Sequence, residues 1–64
     1  MTDKLKIIKL PEVKELTTFS RSTIYRLIDE GKFPKQIKLA ERSSGWIKQE
    51  ILDYLNTRIN NREL

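Results

Sequence analysis

The sequence predicts a mainly α-helical fold with three helices and one small β-hairpin. Three observations predict it. Two short stretches with apolar residues at helical spacing stand either side of a break at Thr17, Thr18 and Phe19. A period-two stretch, IKLA at 37–40, leads into the turn-like ERSSG at 41–45. Beyond it, Ile51, Tyr54, Leu55, Arg58 and Ile59 recur at i, i+3, i+4, i+7 and i+8, the stripe of an amphipathic helix.

Residues 1–10 mix lysines with Leu5, Ile7, Ile8 and Leu10. The first few are expected to be loose. Lys6 to Leu10 reads as a short extended segment with Ile8 and Leu10 on one side. The first helix is predicted over about 11–17. Pro11 suits a first-turn position because its missing N–H is not needed there, and Glu12 complements the positive helix end. Val13 and Leu16 then share a buried face.

Ser20 is a good N-cap, able to accept a hydrogen bond from a free first-turn N–H. The second helix follows over about 21–30, with Ile24, Leu27 and Ile28 facing inward. Gly31 ends it and Pro34 confirms the stop. In the hairpin over 37–47, Ile37 and Leu39 point inward and Trp46–Ile47 form the returning strand. The third helix runs over about 48–61, with the stem of Arg58 packed and its head in water, and Asn60 to Leu64 frayed. The predicted core is Ile8, Val13, Leu16, Phe19, Ile24, Leu27, Ile28, Phe33, Ile37, Leu39, Trp46, Ile51, Tyr54 and Leu55.

Sixty-four residues make one domain, 1–64. A core this small supports a stability of roughly 3–5 kcal/mol. With neither cysteine nor histidine, the chain has no disulfide and no common zinc site, and no cofactor or metal is expected. No apolar run approaches membrane-spanning length and no secretory signal is visible, so the expected location is cytoplasmic. Thirteen Lys+Arg against nine Asp+Glu give a net charge of +4, a field that attracts polyanions. Catalysis is not expected: there are no candidate catalytic residues, no glycine-rich phosphate loop and no paired acid and base.

Two short helices, a hairpin and a third helix follow the order of a winged helix-turn-helix. In that arrangement the second helix enters the DNA major groove by its N-terminal residues. Arg21 and Ser22 then lie in the first turn, where free backbone N–H groups also bind phosphate. Arg26, one turn on, can donate two hydrogen bonds to a guanine edge. Thr23 and Tyr25 offer hydroxyls to phosphate. Lys35 and Lys38, with Arg42, Ser43 and Ser44 at the hairpin tip, make a second basic element suited to the minor groove or flanking backbone.

Each piece has an ordinary explanation. Arg21 and Arg26 taken singly are solvated residues paired with Asp29 or Glu30, and Arg42 is a turn residue. Tyr25 stands open between capping the core and touching DNA. Trp46 is expected in the core rather than as a stacking platform. Concurrence shifts the balance, because the basic residues fall on two elements that this layout sets side by side.

The run SRSTIYRL at 20–27, the G-x-F-P at 31–34, IKL at 37–39, GW at 45–46 and the following E-I-x-x-Y-L at 50–55 resemble the AlpA family of small phage-type regulators, relatives of excisionase-like and MerR-like winged-helix proteins. The resemblance covers 10–55. It implies a DNA-binding regulator of a prophage or genomic island that controls an integrase gene, or an excisionase that bends attachment-site DNA and directs the integrase. It implies double-stranded DNA as partner, with integrase or RNA polymerase as candidate protein partners, and a monomer or a side-by-side assembly on DNA. Two positions depart from the family's pattern. Thr18 stands where glycine is usual, and a β-branched residue is strained there if the turn needs positive φ. Lys48-Gln49 stand where the last helix often begins with a serine cap. The competing reading is a protein-interaction module that blocks a regulator or an integrase by direct contact. The outer face of the last helix (Glu50, Asp53, Asn56, Thr57) carries no apolar patch, which argues against a large interface there.

Overall fold

The computed structural model describes residues 5–62. In chain order the elements are β1 (Ile7–Ile8), α1 (Leu10–Thr17), α2 (Arg21–Asp29), β2 (Ile37–Ala40), β3 (Ser43–Ile47) and α3 (Lys48–Asn60). This is a winged helix-turn-helix: α1 and α2 form the paired helices, and β2–β3 form the wing. The expected looseness of the first residues falls on 1–4, outside the described residues, as do the last two positions, 63–64, of the expected C-terminal fraying; α3 itself runs to Asn60.

α1 begins one residue before Pro11, with the Lys9 carbonyl accepting from the N–H groups of Glu12 and Val13. Leu10 is therefore helical and not part of the extended segment predicted over 6–10. The turn to α2 is Thr18–Phe19–Ser20. Buried Thr17 closes it, its hydroxyl donating to the Val13 carbonyl at 2.8 Å and accepting from the Phe19 N–H at 3.2 Å. Thr18 caps α1 at φ 63°, ψ 8°, with its N–H on the Lys14 carbonyl. This is the left-handed conformation that the sequence flagged as strained for a β-branched residue, and it costs such a residue about 1–2 kcal/mol. Thr18 is exposed and its N–H bond survives substitution. Thr18→Gly is expected to stabilise the fold by about 1 kcal/mol, raising the melting temperature by roughly 4–8 °C in a domain of this size, read by thermal denaturation.

α2 starts at Ser20, whose side chain accepts from the Thr23 N–H. It ends in a paired cap: Gly31 at φ 73° donates to the Ile28 carbonyl, and Lys32 donates to the Leu27 carbonyl. α3 has no side-chain cap, in keeping with the absent serine. Its first N–H, that of Lys48, donates to the Lys6 carbonyl at 2.8 Å, so the chain entering β1 satisfies one of the free groups at the helix start.

The sheet has three antiparallel strands in the order β1-β3-β2. The register pairs Ile8 with Trp46, Ile7 with Ile47, Ile37 with Gly45 and Lys38 with Ser44. Side chains alternate across a sheet, so Ile8, Trp46, Ser44 and Lys38 share the inner face, while Ile7, Ile47, Gly45, Ile37 and Leu39 share the outer one. This corrects the expected inward placement of Ile37 and Leu39: Ile37 is half-buried and Leu39 is 45% exposed. The turn is also shorter than ERSSG suggested. Only Glu41–Arg42 turn, and Ser43–Gly45 belong to β3.

Ile8, Val13, Ile24, Phe33, Trp46 and Ile51 form the buried core, with Leu10, Leu16, Phe19, Tyr25, Leu27, Ile28, Tyr54 and Leu55 packed around it. Phe33 ties the loop to the α1–α2 turn and to α3, its ring centroid 4.8 Å from Tyr54 and 6.4 Å from Phe19. Gly45 is buried because Ile7 and Leu39 close over it. A Cβ there would lie 2.7 Å from Ile7 Cγ2 and 2.9 Å from the Ile8 carbonyl oxygen. The second contact is backbone and cannot rotate away. Gly45→Ala is expected to cost about 1–3 kcal/mol by overpacking, measured by urea denaturation.

Candidate nucleic-acid interface

Ile24 faces the core from α2 and Leu27 and Ile28 pack beside it, so Ser22, Arg26 and Asp29 lie exposed on the opposite side, and Arg21 is exposed in the first turn. The first turn is ordered by Ser20, whose Oγ accepts from the Thr23 N–H at 3.2 Å and donates to Thr23 Oγ1 at 3.1 Å. Thr23 is half-buried, with its N–H and its hydroxyl oxygen engaged by Ser20. The guanidinium of Arg21 stands over the Tyr25 ring, 5.5 Å from its centroid. Tyr25 in turn tilts against Trp46 at 6.5 Å between ring centroids. Tyr25 thus joins the rim of the core while Arg21 lies over its ring, and these contacts link the first turn of α2 to β3 of the wing.

Lys38 and Ser44 lie on the inner sheet face, the one that carries Trp46 and hence the contact to α2. Arg42 is exposed in the two-residue turn. Ser43 is held from an unexpected direction: Lys9 Nζ donates to its Oγ at 2.6 Å. Lys9 thereby joins the wing tip, a placement that sequence reasoning missed. The two residues are 34 positions apart, and no local pattern links them. Lys35 is not brought to this surface. It lines a groove of about 560 Å³ with Pro34, Ile37, Ile47, Glu50 and Asp53, on the outer side of the sheet.

Around the Tyr25–Trp46 contact the surface therefore carries Arg21 from α2 and Lys38, Ser44 and Arg42 from the wing, while Ser22 and Arg26 lie exposed farther round α2. Arg26 also meets Glu30 one turn along, Nη1 to Oε2 3.5 Å, and Lys32 lies 3.8 Å from the other Glu30 oxygen. These are exposed pairs and hold their partners weakly. Among the described residues no three His, Cys, Asp or Glu side chains converge to hold a metal ion, and no helix is long and apolar enough to cross a membrane. What the surface offers is cations and hydroxyl donors on two protruding elements, the chemistry of polyanion recognition.

Comparison with known proteins gives a consistent picture. The chain is 38% identical over 58 residues to the uncharacterized protein ORF88 of Enterobacteria phage P4, covering 91% of this chain and 66% of that protein. It is 35% identical over 60 residues to the DNA-binding transcriptional activator AlpA of Escherichia coli K12, covering 84% of this chain and 86% of that protein. No solved structure gives a significant match. The sequence profile of the prophage CP4-57 regulatory protein (AlpA) family matches residues 6–59, which takes in every helix from the start of α1 almost to the end of α3 and the whole sheet, and the chain belongs to that family.

Proposed function

We propose that the protein is a sequence-specific double-stranded DNA-binding regulator of a prophage or genomic island, controlling transcription of an integrase gene, or acting as an excisionase at the attachment site. The observation that carries this reading is the coupling of α2 to the wing through Arg21, Tyr25 and Trp46. It sets two cationic elements on one side of a small domain. α2 enters the major groove, with Arg26 reading a base edge and the first turn binding phosphate. The wing, through Lys38, Arg42 and Ser44, holds the flanking backbone. Family membership and the name of the similar E. coli activator support the same reading. The protein works by binding alone, without cofactor.

Fluorescence anisotropy with labelled duplex from the adjoining integrase promoter and attachment region tests it, across a salt series and against scrambled DNA. A specificity ratio of about 10³ or more, with log K falling as log[salt] rises, is expected. Equal, weak binding that vanishes at physiological salt would reduce the surface to a polyanion attractor.

One observation favours a second reading, contact with integrase or RNA polymerase. Ile7 and Leu39, 38% and 45% exposed, close over Gly45 on the outer sheet face, the face whose Ile37 and Ile47 line the groove. An apolar surface turned away from the basic face suits a protein partner. Recovery of one of these proteins in a pull-down without DNA, lost in Leu39→Glu, is the expected sign of it.

A further inference from the structure

The side of α2 away from Tyr25 and the wing carries a second cationic feature. A cleft of about 390 Å³ opens between α2 and α3, and Arg26, Lys32 and Arg58 line it from α2, the loop after α2 and α3. Glu30 is the one carboxylate in its lining, and both its oxygens are engaged, one by Arg26 and one by Lys32. Three cations against one carboxylate leave the cleft with two positive charges. Thr23 and Tyr54 add hydroxyls to its walls. A concave site with excess positive charge and hydroxyl donors is suited to a phosphate group.

We propose that this cleft takes a phosphate of the DNA backbone, on the strand across the major groove from the wing; this rests on the DNA-binding reading above. The argument is geometric. Successive residues on a helix are turned by about 100°, so Tyr25 and Arg26 point to different flanks of α2. Tyr25 leads to Trp46 and the wing, and Arg26 leads to the cleft. The major groove is about 12 Å wide, close to the diameter of a helix with its side chains, so a helix lying in it has a phosphate strand on each side. The wing serves one strand. Lys32 and Arg58 serve the other, with Glu30 holding Arg26 and Lys32 in place until a phosphate displaces it. Arg58 lies far from α2 in sequence, and the sequence showed it only as a member of the α3 stripe.

The test is anisotropy with the same duplexes for Lys32→Gln, Arg58→Gln, Arg58→Lys and Glu30→Gln. Glutamine keeps part of the packed stem and removes the charge. Each cation loss is expected to weaken binding to native and scrambled DNA by the same factor, and to reduce the slope of log K against log[salt] by about 0.9. Arg58→Lys keeps the parent slope, and Glu30→Gln binds more tightly than the parent. If Arg58→Gln fails to fold, Lys32→Gln, at an exposed position outside any helix, decides the matter. The proposal is overturned if both glutamine variants match the parent while Arg26→Ala loses binding, a result that leaves the DNA-binding reading intact. If the parent itself binds no duplex, both readings fall. Inorganic phosphate, titrated at constant ionic strength, separates the sources. Saturation of the cleft at millimolar phosphate, with DNA slopes unchanged by the two variants, would make it a small-anion site and overturn the assignment to DNA.

Discussion

Trp46→Ala will leave this chain unfolded at room temperature. Trp46 is 1% exposed and is the largest side chain in the core. It sits in the central strand, opposite Ile8 in β1. Its indole N–H donates to the Pro34 carbonyl at 3.1 Å, which fixes the loop between α2 and the wing, and its ring meets Tyr25 of α2. Truncation of a buried tryptophan costs about 3–5 kcal/mol, the transfer term plus the cavity left behind. A single small core supplies roughly 3–5 kcal/mol in all. The loss equals the total, so far-UV circular dichroism should show a largely unfolded chain. Trp46→Phe is the graded control. It fills much of the space and loses the indole N–H, leaving the Pro34 carbonyl without its donor. The expected cost is about 1–3 kcal/mol, read as a lower urea midpoint with the fold retained. An alanine variant that melts like the parent would show that the indole is not what joins the sheet to the helices.

The helices were legible in the sequence because their signals are local. Ser20, the Ile24, Leu27 and Ile28 spacing, and Gly31 at positive φ place α2 to within a residue. At Thr18 the family resemblance raised strain only on the condition that the turn needs positive φ, and the backbone there is left-handed. The wing was less legible, for two physical reasons. Ser43, Ser44 and Gly45 have turn composition, yet they pair with Ala40, Lys38 and Ile37. Gly45 is there for the close approach of Ile7 and the Ile8 backbone and not for a turn. Alternation correctly put Ile37 and Leu39 on one face, but period two cannot say which face a neighbouring helix covers. The inner face belongs to Trp46. β1, with two residues, is too short to show any period. At the candidate site, the pattern named candidates on α2 and the wing, but it also named Lys35, which lies on the outer side of the sheet. The contact of Lys9 with Ser43 and the lining of one cleft by both Arg26 and Arg58 could not be read, because each brings together residues more than thirty positions apart.

Arg26→Ala is expected to lower the discrimination between native and scrambled duplex by about 1–3 kcal/mol, the worth of a bidentate contact to a guanine edge. The fold should be almost unaffected. The Arg26 side chain is 60% exposed and its pair with Glu30 is an i,i+4 contact on the surface, of the kind worth about 0.3–0.5 kcal/mol. Arg21→Ala removes the cation from the Tyr25 ring and a charge from the first turn, again with little effect on the fold. The two variants should differ in what they lose. Arg26 lies one turn into α2, where a side chain reaches base edges, so its removal should relax specificity at one position of the operator. Arg21 lies at the helix N-terminus beside the phosphates, so its removal should weaken native and scrambled DNA alike and reduce the salt slope by about 1. Wing variants such as Arg42→Ala should behave like Arg21→Ala. A competition assay over single-base operator variants separates these outcomes. If Arg26→Ala weakens every duplex by the same factor, Arg26 binds phosphate, and the base-reading residue must be sought among Ser22 and Asp29 on the same exposed side of α2. If neither arginine changes binding at all, α2 is not the element in the groove.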